Sequence, residues 1–166
     1  MSLRLRSAII ALAVVILDRL SKLYIQRSYA PWDVTVVIPR IFNIVHAENQ
    51  GAAFSMLADA PPLLRGVLLV GVSGMVMTGV GVMLWRLPKK APWLMPTSLA
   101  LVFGGAFGNL WDRILRGSVT DFLQVFIGSY EFPSFNVADS AITIGAGLLV
   151  IDLLRTRQST PPMPAA

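Results

Sequence analysis

The run GVLLVGVSGMVMTGVGVMLW, residues Gly66 to Trp85, contains no charged side chain. At a rise of about 1.5 Å per residue, its helix is roughly 30 Å long, the thickness of a bilayer's hydrocarbon core. Arg86, Lys89 and Lys90 close it. Trp93 to Trp111 is a second uncharged run, with tryptophan at both ends where an aromatic belt sits. Few residues separate the two, among them Pro88 and Pro92, which predicts a tight helical hairpin. A third run covers roughly Val137 to Leu154, with Asp139 near its start and Arg155 and Arg157 after its end.

The N-terminal run is less clean. Ala8 to Leu17 is apolar, but ten helical residues cover only about 15 Å. To span, the helix must continue to about Ile25 and carry Asp18 and Lys22, which sit at i and i+4 on one face. The reading is therefore a membrane protein of four transmembrane helices. Placing Arg4, Arg6, Arg86, Lys89, Lys90, Arg155 and Arg157 on the cytoplasmic side puts both termini there. Residues 1–157 form one domain. The proline-rich tail, 158–166, is expected to be disordered.

Composition agrees. Of 166 residues, 55% are hydrophobic and 14% charged, against about 25% charged in soluble domains. Without cysteine, thiol catalysis and thiolate metal sites are excluded, and His46 is the single histidine. No metal site or cofactor is expected. The net charge of +5 arises from residues clustered at the ends of apolar runs, with no basic stripe interleaved with aromatics, so nucleic acid is not an expected partner.

Two segments fall on the external side. Tyr29 to Pro62 is rich in β-branched residues and predicts a small antiparallel sheet, and Val119 to Phe126 offers a further strand. His46 is read as a solvated loop residue. Of nine acidic residues, eight lie outside or at the outer membrane edge in this topology, Asp152 being the exception. Ionisable groups at the ends of spans are functional candidates. Asp121 follows the third helix and Asp139 opens the fourth, so the two can meet. A carboxylate pair holds one proton between its members, giving a base for water and an acid for an amide.

Five segments occur in order: Asp18-Arg-Leu-Ser-Lys22, Asn49-Gln-Gly-Ala-Ala-Phe54, Gly104-Gly-Ala-Phe-Gly-Asn-Leu-Trp-Asp-Arg113, Val119-Thr-Asp-Phe122 and Phe135-Asn-Val-Ala-Asp139. Together they resemble lipoprotein signal peptidase, or signal peptidase II, the aspartyl peptidase of the bacterial inner membrane. The resemblance implies a four-transmembrane-helix bundle with a periplasmic β-cradle, here about residues 29–62, and a short periplasmic helix. It implies cleavage of diacylglyceryl-modified prolipoproteins before the lipidated cysteine, at the periplasmic edge. It makes Asp121 and Asp139 the catalytic dyad and Asp18, Lys22, Asn49, Gly51, Asn109, Asp112, Arg113 and Asn136 its supporting or substrate-binding residues. It also implies inhibition by the cyclic peptide globomycin. Membrane lipids are further partners, and a monomer is expected.

The residues themselves add roles. Asn136 can N-cap the fourth helix, making Asp139 its third residue, where the dipole favours an anion, and Asp121 the acid. Asn49 and Asn109 can donate to substrate or to an oxyanion. Gly51 lets a peptide approach closely. Arg113 orients Asp112 or binds a headgroup. Gly104 and Gly108 form a GxxxG packing pattern. Two rival readings are a proton-coupled transporter and a serine protease built on Gly71-Val-Ser-Gly74 with Ser73 as nucleophile. The first predicts polar groups near the midplane. The second needs His46 near Ser73, and small-residue packing is the preferred explanation of that motif.

Overall fold

The computed structural model describes residues 1–51 and 61–158. The elements are α1 (Leu3–Ser28), β1 (Val34–Ile38), β2 (Phe42–Asn49), α2 (Pro62–Arg86), α3 (Leu94–Arg116), β3 (Val119–Ile127), β4 (Tyr130–Phe135) and α4 (Val137–Gln158). The four expected long helices are all present. Among the described residues, three helices are long and apolar enough to cross a membrane, within α2, α3 and α4. Asp18, Arg19 and Lys22 interrupt the apolar character of α1. The tail assigned to 158–166 lies outside the described residues, except Gln158, which ends α4. No short external helix occurs among the described residues, and residues 52–60 lie outside them.

The sheet is antiparallel in the order β1-β2-β3-β4. It is larger than the expected cradle of residues 29–62, because β3 and β4 complete it from the segment after α3. Both hairpins turn through a left-handed residue, Arg40 at φ 63° and Gly128 at φ 64°. Between Ile44 and Ala47 the β2–β3 register shifts, and Val45 and His46 are both buried at this bulge. His46 is thus no solvated loop residue. It is 5% exposed, with Nδ1 against the Tyr29 carbonyl and Nε2 against Glu48.

The helices bury several charged and many small residues, with a few aliphatics such as Leu99 and Leu110, and expose most of their large apolar side chains. Val14, Asp18, Lys22 and Ile25 form the inward stripe of α1. Leu5, Ile9, Leu12, Ile16 and Leu20 form its exposed face. This inversion of the soluble pattern is what a lipid solvent demands, because packing, not water exclusion, joins helices there. α3 sits at the centre, against α1, α2 and α4. A Cβ at Gly104 would stand 2.7 Å from the Ala11 carbonyl oxygen of α1, and one at Gly105 would overlap the Ala138 carbonyl of α4. A Cβ at Gly108 would stand 2.6 Å from Asp18 Oδ2. The GxxxG glycines therefore seat α1. By contrast, a Cβ at Gly71 or Gly74 would meet nothing within 4 Å, so small-residue packing does not explain the Gly71-Val-Ser-Gly74 motif.

Two expectations about stability follow. Gly104→Ala forces backbones apart and lowers stability by about 1–3 kcal/mol. Gly79→Ala, where a Cβ meets open space, produces no loss. Thermal unfolding in detergent compares them, and equal shifts would refute the packing role. Lys22 is 0% exposed and holds Asp18 at 2.7 Å and Asp112 at 2.8 Å. Lys22→Met keeps most of the volume, leaves the buried Asp18 without a cation and Asp112 with Arg19 alone, and costs about 3–5 kcal/mol. A loss below about 1 kcal/mol in the same assay would mean that the carboxylates are not held by this charge.

Candidate active site

Asp18 and Lys22 leave α1 on one face, and Asn109 and Asp112 leave α3 toward them. Lys22 Nζ donates to Asp18 Oδ2 and, at 3.0 Å, to Asn109 Oδ1. Asp112 also takes Arg19 at 3.0 Å. Two acids and two bases thus neutralise one another, which is how charges persist in a low-dielectric interior. Asp18 Oδ1 accepts from the Ala138 N–H in the first turn of α4. The cluster therefore ties α1, α3 and α4 together at one level.

β3 brings Asp121 to that level. Leu123 pairs with Phe135, the last residue of β4, so Asp121 lies beside the β4–α4 junction. Asn136 occupies that junction, fully buried. Its Oδ1 accepts from the Asp139 N–H at 3.0 Å, and its own N–H donates to Asp139 Oδ2 at 3.1 Å. This is a reciprocal capping box with aspartate at the third helical position, as the Asn136-x-x-Asp139 spacing predicts. Asn136 Nδ2 also donates to Asp121 Oδ1 at 2.7 Å. One asparagine therefore binds both carboxylates.

The remaining oxygens are also occupied. Asn49 Nδ2 donates to Asp121 Oδ2 at 3.0 Å, and Asn109 Nδ2 donates to Asp139 Oδ1 at 2.7 Å. These amides hold the aspartates, whereas the sequence offered them as donors to substrate or oxyanion. Asp121 is 2% exposed and Asp139 half-buried. Burial, then the neighbouring Asp139 charge, push the Asp121 carboxyl up to about 7, against the pull of Asn49 and Asn136.

The Gly51 N–H donates to Asn49 Oδ1, and the Gly51 carbonyl accepts from Arg113 at 3.4 Å. Arg113 does not orient Asp112, which belongs to Lys22 and Arg19. Its buried Nε has no hydrogen-bond partner among the described residues. All ten residues singled out in the sequence are joined in one network of hydrogen bonds and ion pairs.

Sequence reasoning missed the layer behind Asp121. Gln26 donates to Thr120, Thr120 donates to Glu48, and Ser118 donates to Glu48 at 2.6 Å. Burial alone would raise the Glu48 carboxyl, but Ser118, Thr120, His46 and Arg116 outweigh it and hold Glu48 below the usual range. The Glu48 spacing from Asn49 was visible, but no local signal pairs it with residues 70 positions away. Ser73 lies on α2, and both ring nitrogens of His46 face other partners, so the serine reading lacks its base.

Comparison with known proteins locates this arrangement. The family model described as signal peptidase (SPase) II matches residues 10–155. A lipoprotein signal peptidase of Solibacter usitatus is 40% identical over 159 residues, covering 94% of each chain. Another, of Syntrophus aciditrophicus, is 42% identical over 147 residues, 87% of this chain and 89% of that one. A solved structure described as a bacterial membrane enzyme, at 2.3 Å resolution, superposes with a TM-score of 0.81 at 32% identity. It covers 97% of this chain and 94% of its own. With ten motif residues joined in one network and a family match across most of its length, the chain belongs to the signal peptidase II family and is a peptidase.

Proposed function

We propose that the chain is a membrane aspartyl endopeptidase that cuts diacylglyceryl-modified prolipoproteins before the lipidated cysteine, with Asp121 and Asp139 as its dyad. The observation that carries this reading is Asn136, which binds both carboxylates while Asp121 is raised to about 7. Family membership supplies the substrate class.

Asp139, at the positive end of α4 and half-buried, is the base. Asp121, buried and raised, carries the proton. Asp139 takes a proton from water as the water oxygen attacks the scissile carbonyl carbon. Asp121 gives its proton to the carbonyl oxygen. The Asp139 proton then passes to the leaving nitrogen as the C–N bond breaks, and Asp121 regains its own from the diol. Arg113, which donates to the Gly51 carbonyl, and Gly51 itself are the groups a peptide backbone approaching the pair would meet. Globomycin would block the same position.

All four helices span the bacterial inner membrane in this reading, with both termini cytoplasmic and the aspartates at the periplasmic edge. α1 is 26 residues, about 39 Å, long enough to cross. Its charges Asp18 and Lys22 are internal, and the partly exposed Arg19 is paired with Asp112, so no charge of its middle turns faces lipid unpaired. The substrate then reaches the dyad sideways, its acyl chains remaining in lipid. The enzyme acts as a monomer.

Asp121→Asn and Asp139→Asn each lower kcat about 10²–10⁴-fold on diacylglyceryl prolipoprotein in detergent. Normal activity in both variants would end the dyad reading. The pH profile has a definite sign. The mechanism needs a proton on the pair, so kcat/KM falls above pH about 7, near tenfold per unit. Stability moves the same way. Because the folded value exceeds the ordinary 3.8, the contribution of Asp121 is complete below about 4 and is lost as pH rises through about 7. A rate still rising at pH 9 would contradict the assignment.

A further inference from the structure

A cavity of about 550 Å³ lies between the starts of α1 and α3, at the end of the bundle away from the aspartates. Arg6, Ser7, Ile10, Lys89, Trp93 and Thr97 are among its lining. Ser7 is 7% exposed, and its Oγ has no hydrogen-bond partner among the described residues. A buried hydroxyl left unpaired is costly, and an oxygen acceptor in the cavity would satisfy it.

Three further features fix the charge of that acceptor. α3 begins beside the cavity with no side-chain cap and no acid in its first turn. Its free N–H groups and positive dipole end favour an anion. Arg6 and Lys89 have no carboxylate partner among the described residues. Among the described residues, none that lines the cavity is acidic.

The surroundings fix the source of the anion. Leu5 and Ile9 of α1 are exposed at this end, as are Trp85 and Trp93. Arg4 lies 4.3 Å above the Trp85 ring. Exposed tryptophan beside cationic side chains is the composition of a headgroup boundary. A free anion has no use for this apolar rim, whereas acyl chains do.

We propose that this cavity binds the phosphate of an anionic phospholipid, a site separate from the peptidase centre. Arg6 and Lys89 supply charge, Ser7 Oγ donates to a phosphate oxygen, and the open α3 N-terminus adds its field. The acyl chains run along the exposed face of α1. Bound there, the lipid cross-links α1 to the α2–α3 turn.

Native mass spectrometry of the delipidated full chain tests this, with three probes: phosphatidylglycerol, phosphatidylcholine and inorganic phosphate. The wild type is expected to bind phosphatidylglycerol about tenfold more tightly than phosphatidylcholine, as two cations near an anionic headgroup require. Arg6→Gln with Lys89→Gln removes that preference. Ser7→Ala, which deletes an unpartnered hydroxyl and leaves the empty fold intact, weakens phosphatidylglycerol several-fold. The charge-matched control, Arg27→Gln with Arg40→Gln, keeps the preference. Equal binding of the two lipids, or a preference that survives in the Arg6/Lys89 variant or is lost in the control, would overturn the proposal. So would displacement of phosphatidylglycerol by millimolar inorganic phosphate, which would make this a free-anion site. No cleavage is measured, so failure here leaves the peptidase reading untouched.

Discussion

One buried ammonium group organises this molecule. Lys22 has no exposure and is surrounded by Asp18, Asp112 and the Asn109 carbonyl oxygen. An isolated charge in such a place would cost several kcal/mol, so its partners are obligatory. They come from α1 itself and from α3, and Asp18 continues the chain of contacts into the first turn of α4. Three helices are thereby fixed in height and rotation relative to one another. In a bundle whose outer surface is apolar, the hydrophobic effect sets no such register, because lipid solvates leucine as well as a neighbouring helix does. The polar interior supplies it.

The two aspartates inherit that register. Asn109 accepts from Lys22 with its oxygen, which commits its amide N–H groups to the other side, toward Asp139. Asn136 caps α4 and reaches Asp121, so the helix start and β3 meet at one side chain. Behind Asp121, Thr120 is bound through Glu48 to His46 and Ser118. A carboxyl raised to about 7 is therefore the product of a neighbourhood held from two directions, by helices on one side and a sheet on the other.

Much of this was legible in the sequence, for definite reasons. Uncharged runs bounded by arginine, lysine and tryptophan announce α2 and α3, because lipid punishes any other composition. The capping of α4 was legible because Asn136 and Asp139 are three residues apart. β1 and β2 show in their β-branched residues. β4 does not, since Glu131, Pro133 and Ser134 break the alternation; an edge strand tolerates such a proline. The pairings of Asn49 with Asp121 and Asn109 with Asp139 join residues 72 and 30 positions apart, and no local pattern encodes them. For the same reason the sequence left Arg113 between Asp112 and a lipid headgroup, when the α3 face turns it toward Gly51. His46 was misplaced because a bulge, invisible in composition, buries two consecutive residues.

The central claim is that the pair keeps one proton near neutral pH and that Asp121 carries it. Infrared difference spectroscopy of the carboxylic-acid C=O stretch reads that proton directly. The account predicts a protonated-carboxyl band at pH 6 that disappears with a midpoint near 7, is absent in Asp121→Asn and persists in Asp139→Asn with a lower midpoint. Absence of the band at pH 6 in the wild type, or its loss only in Asp139→Asn, would contradict it.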